Sequence, residues 1–366
     1  MEEMKKYILG DVCSRLSSGK GISSEEVLES GPFPVIGGNG LRGYSLKSNF
    51  SGECGVIGRQ GANCGNVRYF SGEAYMTEHA VVVVGNEMAD TRYLTYLLST
   101  MHLGNLSAQS AQPGLSVKTL AKQEIMLPSL LEQKRRASIL ASLEDKIALN
   151  NRINHNLEKQ IQECFDSMIV SDNGLGYCQI ADYVDVNPKR SIGKKVLAKC
   201  IDMSYLSTTG PFPSGWETKG YNGGMKFMNG DTIMARITPC LENGKVAFVN
   251  FLDDGEVAFG STEYIVLHSK EGVAPEFTYF LARNRDFVDY ATKNMNGSSG
   301  RQRVSGDTIE KYMIPVIDSP ALDEFSSFAA PAMKVIRNNS FESRSLASTR
   351  DALLPLLLSE NPQLRK

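Results

Sequence analysis

The chain has 366 residues, 42% of them hydrophobic and 22% charged, and carries a net charge of −2. That length leaves room for two or three domains with a core each, while the charge balance excludes a protein that holds nucleic acid by bulk positive charge alone. Seven cysteines without a CxxC pair and four histidines without metal-site spacing favour reduced thiols over a disulfide frame or a zinc site.

In chain order, Tyr7 to Val12 reads as a short strand, and Ser23 or Ser24 can cap a small helix through Glu25, Glu26, Val27 and Leu28. Gly31 to Gly43 (GPFPVIGGNGLRG) is expected to be a turn-rich loop with short extended pieces. Strands are expected at Gly55 to Arg59, Asn66 to Phe70 and Ala80 to Gly85, which are rich in Val, Ile and Tyr, and a helix at Thr91 to Met101. A long helix, Leu127 to Val170, carries apolar and amide residues at alternating steps of four and three: Leu140, Leu143, Ile147, Asn150, Asn154, Leu157, Ile161, Cys164 and Met168. That is a heptad seam, on a rod of about 60 Å at ~1.5 Å per residue. Asn150 and Asn154 would fix register and partner choice at some cost in stability.

The pattern then repeats. Strands are expected near Thr232 to Ile237, Lys245 to Phe251 and Glu263 to His268, followed by a helix from Pro275 to Arg283. A second long helix runs from Ser319 to Ser359, with Asn339, Ser343, Leu346, Arg350, Leu353 and Leu357 at the positions of the first seam. Pro331 and Pro355 interrupt it, so its continuous part should begin near Ala332. The apolar runs Ala80 to Val84 and Leu353 to Leu358 are far shorter than the roughly 20 residues of a membrane span, and Met1 to Gly10 is too charged for a signal peptide. Cytoplasmic residence is the default expectation.

Pairing the halves gives a tandem duplication. Asp11 matches Asp182 at an offset of 171, Arg59 matches Arg236 at 177, and Gly65 and Val67 match Gly244 and Val246 at 179. Thr77 and Glu78 match Thr262 and Glu263 at 185, Pro128 matches Pro315 at 187, and Leu157 matches Leu346 at 189. On this reading the offset only grows, through Gly-, Ser- and Asn-rich loops, as insertions between two copies of one fold would make it grow. Two mixed α/β (α+β) domains are expected, residues 1–128 and 171–318, separated and joined by helices at 129–170 and 319–366 that pair as an antiparallel coiled coil. The alternative is that each helix packs only on its own domain. The two globular segments hold 11 basic against 12 acidic and 16 basic against 18 acidic side chains, so neither is positive by composition.

At LPSLLEQKRRASILASLEDKIALNNRINHNLEKQ, Leu127 to Gln160, the chain resembles the conserved region of the specificity (S) subunits of type I restriction-modification systems. The glycine-rich PVIGGNGLRGY of Pro34 to Tyr44 and the ending LLPLLLS of Leu353 to Ser359 are typical of that family, whereas SPALDEFSSFAAPAMK lacks the EQKR signature. The resemblance implies a non-catalytic subunit. Each target recognition domain would read one half of a bipartite double-stranded DNA target, and the helices would set the spacing and dock two methyltransferase (M) subunits, with restriction (R) subunits in the full complex. It implies no cofactor in this chain, with S-adenosylmethionine, ATP and magnesium on the partner subunits. Absence of a GxxxxGK[ST] loop and of an NPPY- or DPPF-type tetrapeptide agrees with that expectation. Two alternatives are a specificity subunit of a methyltransferase-only system and a protein scaffold without DNA readout. The adjacent Glu78 and His79 would be the acid and imidazole of a catalytic site, but the second half has Tyr264 where the first has His79.

Base readout favours Arg on guanine and Asn or Gln on adenine. The candidates are Arg59, Gln60 and Asn63; Gln109 and Gln112; Arg236 and Asn243, with Thr238 and Glu242 beside them; and Arg301, Gln302 and Arg303. Arg59 and Arg236 share a register, so each could instead be a structural arginine held by Glu78 or Glu263. Lys189, Arg190, Lys194 and Lys195 read as phosphate contacts or as a solvated charge run, and Trp216 as packing. Helix pairing and spacing fall to Leu143, Ile147, Asn150, Asn154, Leu157, Ile161, Leu346, Leu353 and Leu357.

Overall fold

In the computed structural model of the chain, which describes residues 4–107, 114–170, 174–298 and 300–358, the sheets repeat more closely than the sequence does. The first half builds β1 (Lys5–Ile8), β2 (Cys13–Ser18), β3 (Phe33–Gly37), β4 (Gly40–Ser45), β5 (Phe50–Gly58), β6 (Val67–Met76), β7 (Ala80–Gly85), α1 (Thr91–Thr100), α2 (Val117–Ala121), β8 (Glu124–Leu127) and α3 (Leu130–Val170). The second builds β9 (Tyr177–Gln179), β10 (Val184–Val186), β11 (Leu197–Ile201), β12 (Glu217–Gly220), β13 (Lys226–Phe227), β14 (Asp231–Ala235), β15 (Val246–Phe248), β16 (Ala258–Gly260), β17 (Tyr264–Ser269), α4 (Phe277–Arg283), α5 (Arg285–Lys293), α6 (Gly306–Glu310), β18 (Met313–Pro315) and α7 (Ser319–Leu358). These elements form two units, Met1–Lys146 with Ser345–Lys366, and Ile147–Arg344, so each unit takes part of both long helices.

In the first unit a six-stranded sheet runs in the order β2-β7-β5-β6-β3-β4, and β1 pairs with β8 beside it. The second unit has two four-stranded sheets, β10-β17-β14-β15 and β12-β11-β16-β13, with β18 on β9. These are one design. The long strand β5 corresponds to β13 plus β14, interrupted at Met228–Gly230, and β6 corresponds to β15 plus β16. Val56 faces Val82 as Ile233 faces Val266, and Phe50 faces Ala74 as Phe227 faces Ala258. The valine-rich β7 and its counterpart β17 are buried on both faces, which is why their apolar runs are continuous rather than alternating.

Strand register corrects the sequence pairing at three places. Gly58 lies opposite Ala80 and Ala235 opposite Tyr264, so the offset at the β6–β7 turn is 184, and His79, not Glu78, stands where Glu263 stands. Leu9 N bonds Gln123 O as Ile180 N bonds Tyr312 O, which puts the offset at 189 from β8 onward and matches Pro128 with Ile317 rather than Pro315. The offset also falls before it grows: Ile36 pairs with Met76 as Ile201 pairs with Gly260, an offset of 165. The Thr-Glu and Pro matches were coincidences of composition at turns.

Other expectations shift in detail. Tyr7 to Val12 is a strand only to Ile8, where a 3-10 turn, Leu9–Val12, takes over. Ser23 caps a 3-10 turn, Ser24–Glu26, rather than a helix. The stretch expected as a loop, Gly31 to Gly43, is largely the β3–β4 hairpin. Helix α7 is one 40-residue helix from Ser319, not a helix beginning near Ala332. Pro331 and Pro355 both lie on its exposed side, where a carbonyl left without its amide partner can turn to water.

The EQKR segment earns its sequence specificity inside the fold. Gln133 is buried, its Oε1 accepting from Asp90 N at 2.9 Å and its Nε2 donating to Met88 O and Pro128 O at 3.0 Å each. Glu132 takes Arg135 and Arg136, and the buried Arg136 also donates to Leu357 O at 2.9 Å. Position by position at the 189 offset, Gln133 becomes Leu322 and Arg136 becomes Phe325, which packs edge-on to Phe165, Phe277 and Phe280. The second copy replaces a polar lock by an aromatic one.

Candidate nucleic-acid interface

In the first unit, the end of β5 and the turn before β7 converge on the β3–β4 hairpin. Backbone contact is close there: a Cβ on Gly58 would stand 2.4 Å from Asn63 O and 2.8 Å from Gly38 O. A Cβ on Gly38 would likewise stand 2.8 Å from His79 O, so glycine at 58 and, within the GGNG sequence, at 38 lets the three segments meet. The surface they form is a cleft of about 450 Å³ lined by Gly38, Asn39, Arg42, Gln60, Gly61 and His79.

Arg59 directly precedes Gln60 of this cleft. Its N donates to His79 O and its O accepts from Leu115 N, both at 2.9 Å, while its guanidinium has no carboxylate partner among the described residues. Glu78 does not hold it: Oε1 of Glu78 lies 3.1 Å from His79 Nε2, and its Oε2 is buried without a hydrogen bond. Gln60 is exposed, and pairs through its backbone with Gly114. Asn63 ends a 3-10 turn and accepts from Asn66 Nδ2 at 3.1 Å. Gln109 and Gln112 lie outside the described residues. The structure adds Asn39, Arg42 and His79 to the cluster; the PVIGGNGLRGY motif marked the segment, but its β-hairpin form hid which side chains it delivers.

In the second unit Arg236 repeats the backbone of Arg59, its N donating to Glu263 O and its O accepting from Val304 N, both at 3.0 Å. Its Nε is buried without a hydrogen bond, 4.0 Å from Glu263 Oε2. Glu263 is taken by Arg303, whose Nε and Nη2 reach the carboxylate at 2.7–3.0 Å. That fork holds the Glu263 carboxyl below its usual range and the Arg303 guanidinium above its own. Gln302 O accepts from Thr238 N, Thr238 Oγ1 donates to Glu242 Oε1 at 3.2 Å, and Asn243 and Arg301 are exposed. The structure thus brings Arg236, Thr238, Gln302 and Arg303 together and leaves Arg301 at the rim.

Of the basic run, Arg190 is a structural residue. It donates to the fully buried Asp231 at 2.9 Å, which also contacts His268 Nδ1 at 2.7 Å. Trp216 stacks on Phe251 at 5.0 Å between ring centroids, as packing.

The seam residues divide between the units. In the second, the buried Asn150 donates to Glu342 Oε2 at 2.7 Å and to Ser343 Oγ at 3.3 Å, and Asn154 accepts from Asn339 Nδ2 and donates to Ser340 Oγ. Position 150 maps to 339 and 154 to 343, so the two contacts interchange under the repeat, as an antiparallel pair of equivalent helices requires. Leu157 and Ile161 continue this seam into the aromatic core. In the first unit Leu353 and Leu357 pack on the core around Leu140, while Leu143, Ile147 and Leu346 are half-buried in their respective units.

Residues 1–159 match the family model described as Type I restriction modification DNA specificity domain. That match covers fewer than half of the chain's 366 residues. A specificity subunit of the type I enzyme EcoprrI from Escherichia coli is 39% identical over 142 residues, 38% of this chain and 35% of that protein. The MjaIX specificity subunit of Methanocaldococcus jannaschii is 25% identical over 231 residues, 62% of this chain and 44% of that protein. The alignments span about a third to under half of these relatives' own lengths. The crystal structure of a type I restriction-modification S subunit from M. genitalium shares the fold, with a TM-score of 0.70 at 13% identity over 98% of this chain and 97% of that one. The family-model match ends within α3, whereas the M. jannaschii alignment, 231 residues long, must extend into the second unit. Among the described residues no helix is long and apolar enough to cross a membrane.

Proposed function

We propose that this chain is the non-catalytic DNA-recognition subunit of a type I restriction-modification complex. Recognition domains 1–128 and 171–318 each read one half of a bipartite target. The helices set the gap and dock two methyltransferase subunits, which bring S-adenosylmethionine; restriction subunits bring ATP and magnesium. The observation that carries the reading is the repeated arginine. Arg59 and Arg236 sit on the same backbone scaffold in two copies of one sheet, each guanidinium lacking a carboxylate hydrogen bond among the described residues, each ringed by different loop residues. A shared cation on divergent loops suits a common backbone contact with different base readers around it. The balanced net charge fits as well, because partner subunits would supply further phosphate contacts.

The reading is tested by mapping methylated bases in the genome of the organism that carries this chain, with and without the gene. A bipartite motif with a fixed gap that vanishes on deletion is expected. An unchanged pattern, or a short continuous motif that depends on the gene, would overturn it.

A further inference from the structure

The second unit contains a carboxylate where a DNA reader should not have one. Glu263 ends the turn before β17 beside Arg236, and across neighbouring strands a glutamate and an arginine ordinarily pair. Here they form only a long ion pair without a hydrogen bond: Arg303 occupies both carboxylate oxygens, and the half-buried Arg236 is left 4.0 Å away with Nε unsatisfied. Arg303 is placed to do this by the backbone, since it bridges Ile237 and precedes Val304, which bonds Arg236 O. The first unit reaches the same state without either residue. By register its His79 stands in the place of Glu263 and its Gly114 in the place of Arg303, because Gln60 bridges Gly114 as Ile237 bridges Arg303. An acid that would seize the shared arginine is absent from one copy and clamped in the other.

We propose, building on the DNA-recognition reading, that Arg303 is a positioning residue: it sequesters Glu263 so that Arg236 is available for a DNA phosphate. Arg303 itself contacts no base. The phosphate is the ligand because the arginine common to both units cannot encode two different half-sites. Removing Arg303 frees Glu263 to rotate onto Arg236 and to place a negative charge against the DNA backbone.

The test uses the full chain assembled with its methyltransferase subunit and duplexes carrying the mapped target or a scrambled second half-site, titrated at several salt concentrations. Arg303→Ala is expected to weaken target and scrambled DNA alike by about tenfold and to lower the salt slope by ~1, as for one lost phosphate contact. Adding Glu263→Gln is expected to restore binding to within about twofold, whereas Glu271→Gln, an equal change of charge at an exposed site outside the cluster, is not. Arg236→Ala should lose the same contact and gain nothing from Glu263→Gln. Arg303→Lys, which keeps the cation but not the fork, should fall between. Failure of Glu263→Gln to rescue a folded Arg303→Ala protein, or a loss confined to target DNA, would overturn the inference alone. Wild-type protein that binds target and scrambled DNA equally would overturn the DNA-recognition reading, and the inference with it.

Discussion

Replacing Gln133 by Ala probes whether the EQKR segment is a structural lock. The buried amide makes three hydrogen bonds, to Asp90 N, Met88 O and Pro128 O, at 2.9, 3.0 and 3.0 Å. At ~1 kcal/mol net for each, and with the stranded amide and carbonyls shut off from water, the loss is about 3 kcal/mol. For a unit of this size that lowers the melting temperature by about 6–12 °C. Thermal unfolding followed by circular dichroism reads the shift, and hydrogen exchange at the Asp90 amide reports the local bond, with protection expected to fall at the start of α1 before elsewhere. Leu322→Ala, at the equivalent position of the second unit, removes no side-chain hydrogen bond and serves as the control for local exchange. A destabilisation below about 1 kcal/mol, or unchanged protection of Asp90, would show that the Gln133 amide is not a structural lock.

Further tests address the site, the electrostatics and the helices. Gly58→Ala puts a methyl 2.4 Å from Asn63 O, so the first-unit cleft must deform; binding to a duplex keeping only the first half-site should drop at least ~10-fold while the second half-site is unaffected. The Glu132 carboxyl is held down to about 2, first by the Arg135 hydrogen bond, against a desolvation that raises it, with Arg136 adding to the lowering. A carboxylate depressed in the fold adds stability above its unfolded pKa and loses it as pH falls through the folded one, so up to about 3 kcal/mol should disappear between pH ~4.5 and ~2. Glu132→Gln should flatten that part of the unfolding profile; an equally steep profile would assign the acid sensitivity to other groups. Asn154→Ala removes the 2.9 Å bond from Asn339 Nδ2 and should cost about 1 kcal/mol in urea unfolding, leaving base preference unchanged. Deleting a few residues from α3 alone should shift the preferred gap or abolish binding.

The fold was readable where apolar burial repeats. Valine runs of β7 and the isoleucine and valine positions of β5, β14 and β17 kept both copies in register, and the heptad seam located α3 and its amides. Turns were less legible. Thr-Glu recurs at both β7 entrances, yet the backbone register sets His79 against Glu263, and the hairpin hidden in PVIGGNGLRGY shows no alternation because glycines let backbones approach where side chains usually announce a strand. Pro331 read as a break because sequence does not say which side of a helix meets water. At the site, the paired arginines were visible as a repeat, but their environment was not. That Glu263 is held by Arg303, 40 residues on, and that Glu78 meets His79 rather than Arg59, depends on strand crossings that no local spacing encodes.

Two readers on fixed helices that recognise one split target must be sensitive to the distance between its halves. Affinity should therefore be measured for a series of duplexes that keep both half-sites and vary only the bases between them, with the chain in complex with its methyltransferase subunit. One preferred gap is expected, with binding falling at least ~10-fold when a single base pair is added or removed. Equal affinity across the series, or full affinity for a duplex with only one half-site, would contradict it.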